Sequence, residues 1–113
     1  MSNLLVCFLL LIFSGTISAK LVYMTELFRH GARYPVSSIF DGNATKNYHG
    51  QETTVGYRQQ YLLGSYLRND YISKMGFLNS TLDPREIEVF TEMGSVDRCI
   101  YSLLAHALGL YPA

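Results

Sequence analysis

The chain has no excess of charge of either sign. Nine lysines and arginines balance nine aspartates and glutamates, which argues against nucleic acid or an anionic membrane surface as a partner. Any cationic site must therefore be a local concentration of charge. Cysteine is scarce: only Cys7 and Cys99 occur. No cluster of histidine, cysteine and carboxylates has metal-ligand spacing, so neither a metal nor another cofactor is expected. Linkers, repeats and low-complexity stretches are absent too. The longest apolar run, Leu4 to Phe13, has ten residues, and a membrane span needs about 20.

That run is followed by Ser14, Gly15, Thr16, Ile17, Ser18 and Ala19. An apolar core with a small-residue exit reads as a secretory signal peptide over residues 1–19, cleaved near Ala19. Cys7 leaves with it, and Cys99 remains as a free buried thiol or one awaiting a partner. Two sequons, at Asn43 and Asn79, fit glycosylation in the secretory pathway. Residues 20–113 are long enough for one small domain. They end at Leu110-Tyr111-Pro112-Ala113, just after a helical pattern, and the expectation is an amino-terminal piece of a longer domain.

Leu21 to Phe28 is apolar except for Glu26, and predicts a strand buried on both faces. Glu26 either reaches water or partners an arginine. Pro35 to Gln51 reads as a surface loop, with His49 solvated. Val55 to Met75 is helical: Tyr57, Tyr61, Leu67, Tyr71, Ile72 and Met75 share a face. Gly64 lies on that face, where close packing would explain it, and Arg68 snorkels or pairs. Thr53 or Thr54 can cap the start. Glu86 to Glu92 predicts a second strand. The last helix runs from Ser95, as N-cap, to about Leu110. Val96, Cys99, Ile100, Leu103, Ala107 and Leu110 form its core face, Arg98 projects sideways, and His106 reads as a surface residue. Alternating strands and helices predict an α/β fold, in which ligands bind beyond the strand carboxyl ends.

At the first such exit stands FRHGARYP, residues 28–35. Arg29, Arg33 and Arg98 each offer about five N–H donors in a planar fork suited to a tetrahedral oxyanion. Gly31 lets backbone approach closely, and Pro35 stiffens the exit. His30, between two arginines, supplies an imidazole nitrogen that can act as a nucleophile. An imidazole attacking a phosphorus held by guanidiniums is covalent catalysis with electrostatic stabilisation.

RHGARYP resembles the signature of the histidine acid phosphatases, the branch of the histidine phosphatases that also includes the phytases. GQETTVGYRQQYLLGSYLRNDY is similar to the family's first helix after the motif, and SVDRCIYSLLAHALGLYPA to the helix bearing its Asp-Val-Asp-Arg. The likeness covers nearly all of residues 21–113. It implies a three-layer α/β/α, phosphoglycerate-mutase-like core, of which this chain holds the amino-terminal strand-helix-strand-helix part. It implies His30 as nucleophile, with Arg29, Arg33 and Arg98 binding phosphate. It also implies a phosphomonoester substrate, a secreted or lysosomal location, and a general acid beyond this chain; a homodimer is compatible with it. Two departures stand out. Ser95 replaces an acidic residue, and Glu92-Met93-Gly94 replaces a basic-Ser-Thr run. The readings kept beside acid phosphatase are a phytase and a non-catalytic anion-binding protein. Amino-terminal sequencing of the exported product should begin within a few residues of Lys20, and a product retaining Met1 would contradict the leader.

Overall fold

A computed structural model describes residues 19–36, 48–92 and 97–113. The leader with Cys7, the Asn43 sequon, Met93, Gly94, the Ser95 cap and Val96 lie outside them. Two α-helices organise the rest: α1, Thr54–Leu67, and α2, Asp97–Leu110. The chain leaves α1 directly into a π-helical stretch, Arg68–Lys74.

α1 starts where Thr53 leaves extended backbone (φ −88°, ψ 164°). The Thr53 Oγ1 accepts the Gly56 N–H at 3.1 Å, satisfying one of the donors a helix start leaves free. The same hydroxyl and the Thr53 N–H both donate to the Ala32 carbonyl at 2.9 Å. The cap thus fixes the helix and also ties it to the motif loop. α2 has Asp97 in its first turn, where the helix dipole favours an anion.

The two helices meet through small and polar residues. Gly56, Gln60 and Gly64 are buried on α1, and Ser102, His106 and Gly109 on α2. A methyl group on Gly64 would strike the His106 carbonyl, and one on Gly109 would strike the Tyr61 carbonyl. Backbone therefore packs on backbone, which is the close packing Gly64 was expected to serve. Arg68 also finds a partner: its Nη1 donates to the Leu110 carbonyl at 2.9 Å, capping the end of α2.

Three expectations need correction. The face of α2 expected in the core packs only in part: Cys99, Leu103 and Leu110 are half-buried, but Ile100 is 46% exposed and Ala107 is exposed. His106, read as a surface residue, is 4% exposed. It lies one turn from Ser102 and from Gly109, so it belongs to the small-residue face. Leu21 to Phe28 and Glu86 to Glu92 form no strand among the described residues. Val22 is 82% and Leu27 97% exposed, and Phe90 is 82% exposed. Hydropathy signalled burial, but burial of a strand needs neighbouring strands, and neither segment has one here. The strand-like backbone pairing among the described residues is a single antiparallel bridge between Arg33 and Glu52. The Tyr34 N–H donates to Gln51 O at 2.9 Å and the Gly50 N–H to Pro35 O at 3.1 Å beside it. No helix among the described residues is long and apolar enough to cross a membrane.

The Gly64 contact is testable. Gly64→Ala gains about 1 kcal/mol of helix propensity, yet overpacking against a carbonyl that cannot rotate away costs up to about 3 kcal/mol. The variant should melt at lower temperature by helical circular dichroism. An unchanged or higher melt would mean that the helices do not meet at this glycine.

Candidate functional site

The motif loop is held mostly through its backbone. The buried Gln60 side chain donates its Nε2 hydrogen to Arg29 O at 2.7 Å. The Ala32 N–H donates to Gln59 Oε1 at 2.9 Å, and Ala32 O receives the two Thr53 bonds. Gly31 sits against the first turn of α1, where a Cβ would meet the Gly56 carbonyl and the Glu52 carboxylate. That is the close approach expected of Gly31.

Glu52 was not singled out in the sequence. It is 5% exposed; its Oε1 accepts the Gly31 N–H at 2.8 Å and its Oε2 the Ser102 hydroxyl at 2.7 Å. Ser102, 1% exposed, also lies 3.3 Å from the Gly31 nitrogen. One lone glutamate before a threonine cap carries no periodic signal; its place beside Thr53 is the only clue. Its charge is felt nearby. Burial pushes the Tyr57 phenol above its ordinary range, and the Glu52 carboxylate adds to that rise.

A cavity of about 430 Å³ opens between the motif loop, the segment before α2 and the first turns of α2. Arg29, His30 and Arg98 all line it, as do Glu26, Glu92, Cys99 and Ser102, with Phe28, Phe90 and Leu103 among its apolar walls. Three of the four residues expected to handle phosphate are thus brought together. Arg33 does not line the cavity: it is half-buried at the bridge with Glu52 and donates Nη1 to Tyr34 O at 3.1 Å. The second predicted sugar acceptor is remote from the cavity. Asn79 donates its side-chain amide to Glu86 Oε1 at 2.5 Å.

Within the cavity His30 is half-buried, with Nδ1 2.8 Å from Gly31 O. A carbonyl only accepts, so Nδ1 carries the hydrogen. Arg98 is half-buried, with Nη1 donating to Gly50 O at 3.3 Å. Its Nε is buried without a partner among the described residues. Glu26 partners a histidine instead of an arginine: its Oε2 lies 3.2 Å from His106 Nε2. The His106 ring stacks on Phe28 with centroids 4.4 Å apart. That pairing is why His106 leaves the surface. Glu92 is exposed and forms no ion pair among the described residues.

No family model matches the chain, and no solved structure matches it. Curated proteins do. The lysosomal acid phosphatase of Xenopus laevis is 35% identical over 99 residues, 84% of this chain and 22% of that protein. The prostatic acid phosphatase of Mus musculus is 32% identical over 97 residues, 82% of this chain and 24% of that protein. The lysosomal acid phosphatase of Homo sapiens is 32% identical over 107 residues, 91% of this chain and 24% of that protein. The chain belongs to the histidine acid phosphatase family. It spans about a quarter of the length of the relatives it matches.

Glu92 is the departure from the expected motif that reaches the cavity. It sets an unpaired carboxylate on the wall of a cavity that also holds Arg29 and Arg98. Glu92→Gln should tighten inorganic phosphate about three- to tenfold, the size of a partly screened charge several ångströms away. Titration with phosphate at two ionic strengths checks it, and unchanged affinity at low salt would mean that the carboxylate turns away from the anion.

Proposed function

We propose that this sequence is the amino-terminal part of a phosphomonoester hydrolase of the secretory pathway that works through a phosphohistidine on His30. The observation that carries the proposal is convergence: the adjacent Arg29 and His30 and the distant Arg98 line one cavity. The family's relatives, named as acid phosphatases, support the same chemistry. The complete protein would place this chain in a three-layer α/β/α core, with Leu21 to Phe28 and Glu86 to Glu92 as strands.

In this reading His30 Nε2 attacks the phosphorus while Nδ1–H stays on the Gly31 carbonyl. The P–O bond to the alcohol breaks, and the alkoxide leaves with that electron pair. Charge spreads over the equatorial oxygens in the transition state, where Arg29 and Arg98 supply fixed positive charge and donors that need no reorganisation. Arg33 joins them if the loop tightens around the anion. Protonation of the leaving alcohol falls to a general acid outside this chain. Water then takes the phosphoryl group from Nε2, releasing inorganic phosphate. The carboxylates of Glu26 and Glu92 on the cavity wall disfavour a polyphosphorylated ester, which favours a simple phosphomonoester over phytate.

Two substitutions in the complete protein separate the roles. His30→Ala should abolish labelling by phosphate while the arginines still bind phosphate or vanadate. Arg98→Ala should still label, slowly, losing roughly 3 to 4 kcal/mol of transition-state stabilisation, or about a hundred- to a thousandfold in rate. Quenching without acid, because phosphoramidates are acid-labile, and then mapping the labelled peptide reads both. Label on another residue, or full activity in His30→Ala, would end this mechanism.

A further inference from the structure

We infer that Glu52 is a positioning residue for the proposed nucleophile, setting His30 and Arg98 in register through one buried carboxylate; this rests on the phosphohistidine reading above. Its two oxygens take donors from two different elements. Oε1 takes the Gly31 N–H at 2.8 Å, immediately after His30, and Oε2 takes the Ser102 hydroxyl at 2.7 Å. Ser102 stands one turn beyond Arg98 on α2, on the same side of the helix. The residue clamped by Glu52 is also the one that orients the imidazole, because Gly31 O holds His30 Nδ1 at 2.8 Å. A single carboxylate thereby connects the nucleophile's backbone, its ring orientation and the helix that carries the second guanidinium.

A carboxylate 5% exposed is costly unless it is fully hydrogen-bonded. Glu52 meets that cost with two donors and a place just before the α1 N-cap, where the helix dipole favours negative charge. A neutral side chain could satisfy the same packing without that cost. What the carboxylate adds is two strong, directional acceptors on one rigid plane, which is what fixing a loop against a helix requires. Glutamine keeps most of this. Its amide oxygen can take the Gly31 N–H, and its amide nitrogen can donate to the Ser102 oxygen.

The test uses the complete protein with Glu52→Ala, Glu52→Gln and Ser102→Ala. In Glu52→Ala the single-turnover rate of His30 labelling should fall about a hundredfold, the usual consequence of a nucleophile displaced by about an ångström. Inorganic phosphate should bind within about threefold of wild type, since the guanidiniums remain and binding tolerates looser geometry than in-line attack. Glu52→Gln should recover most of the labelling rate, and Ser102→Ala should fall between the two. A readout independent of turnover is hydrogen exchange at the Gly31 amide, fast in Glu52→Ala and slow in Glu52→Gln. Wild-type labelling in Glu52→Ala, or unchanged protection of that amide, overturns the inference. So does loss of labelling and phosphate affinity together with no recovery by glutamine, which would mark Glu52 as a folding residue only. A wild-type protein that never labels His30 removes the phosphohistidine reading itself, and the Gly31 exchange then still decides whether Glu52 holds the loop.

Discussion

The arrangement of this chain depends on a buried carboxylate that must be satisfied by donors from two different elements. Glu52 sits where the motif loop, the start of α1 and the middle of α2 come within hydrogen-bonding distance of one another. If it were unpaired, the carboxylate would have to return to water, because an isolated buried charge is not tolerated. Keeping it inside obliges Gly31, Ser102 and the Thr53 turn to stay where they are. The bridge between Arg33 and Glu52 follows from the same constraint, since it is the backbone of the glutamate that pairs with the loop.

Around that point the helices approach as closely as their main chains allow. Gly64 against the His106 carbonyl and Gly109 against the Tyr61 carbonyl bring the helices together, and Gly31 against the Gly56 carbonyl brings the motif loop onto α1. All three rely on the absence of a Cβ. Arg68 then closes the far end by reaching the last carbonyl of α2. Because the helices are locked at both ends, Arg98 in the first turn of α2 is presented beside His30 instead of drifting with a loosely packed helix. The cavity is the space left between the motif loop and that turn.

The legible parts of the sequence were those governed by local rules. The Thr53 cap and the helix after it follow from spacing and residue chemistry within one or two turns, while Gly64 and Arg68 were marked by residue type although their partners lie on α2. The motif itself named His30 and its arginines, and the structure places Arg29, His30 and Arg98 on one cavity. What was not legible depends on partners distant in sequence. Leu21 to Phe28 is apolar enough to be a strand, but a strand exists only when another pairs with it. The α2 stripe through Ile100 and Ala107 follows the hydrophobic period, yet a glycine face decided the packing, and hydropathy gives glycine and serine no weight. His106 became buried because Glu26 and Phe28 lie against it. Glu52 escaped notice because nothing periodic marks a single carboxylate whose two partners come from residues far on either side of it.

The small-residue helix contact has one thermodynamic consequence. Among the described residues no apolar side chain is fully buried, so melting this arrangement would hydrate mainly peptide groups and polar side chains. Newly hydrated apolar surface raises heat capacity by about 0.45 cal/mol/K per Å², while polar surface lowers it by about 0.26. The apolar term is therefore reduced here, and the free energy of the isolated arrangement would curve less with temperature than that of a domain with a buried apolar core. Covering the apolar faces of α1, α2 and the two unpaired segments would restore the curvature. The heat capacity of unfolding is therefore a direct gauge of how much of the surrounding fold is in place.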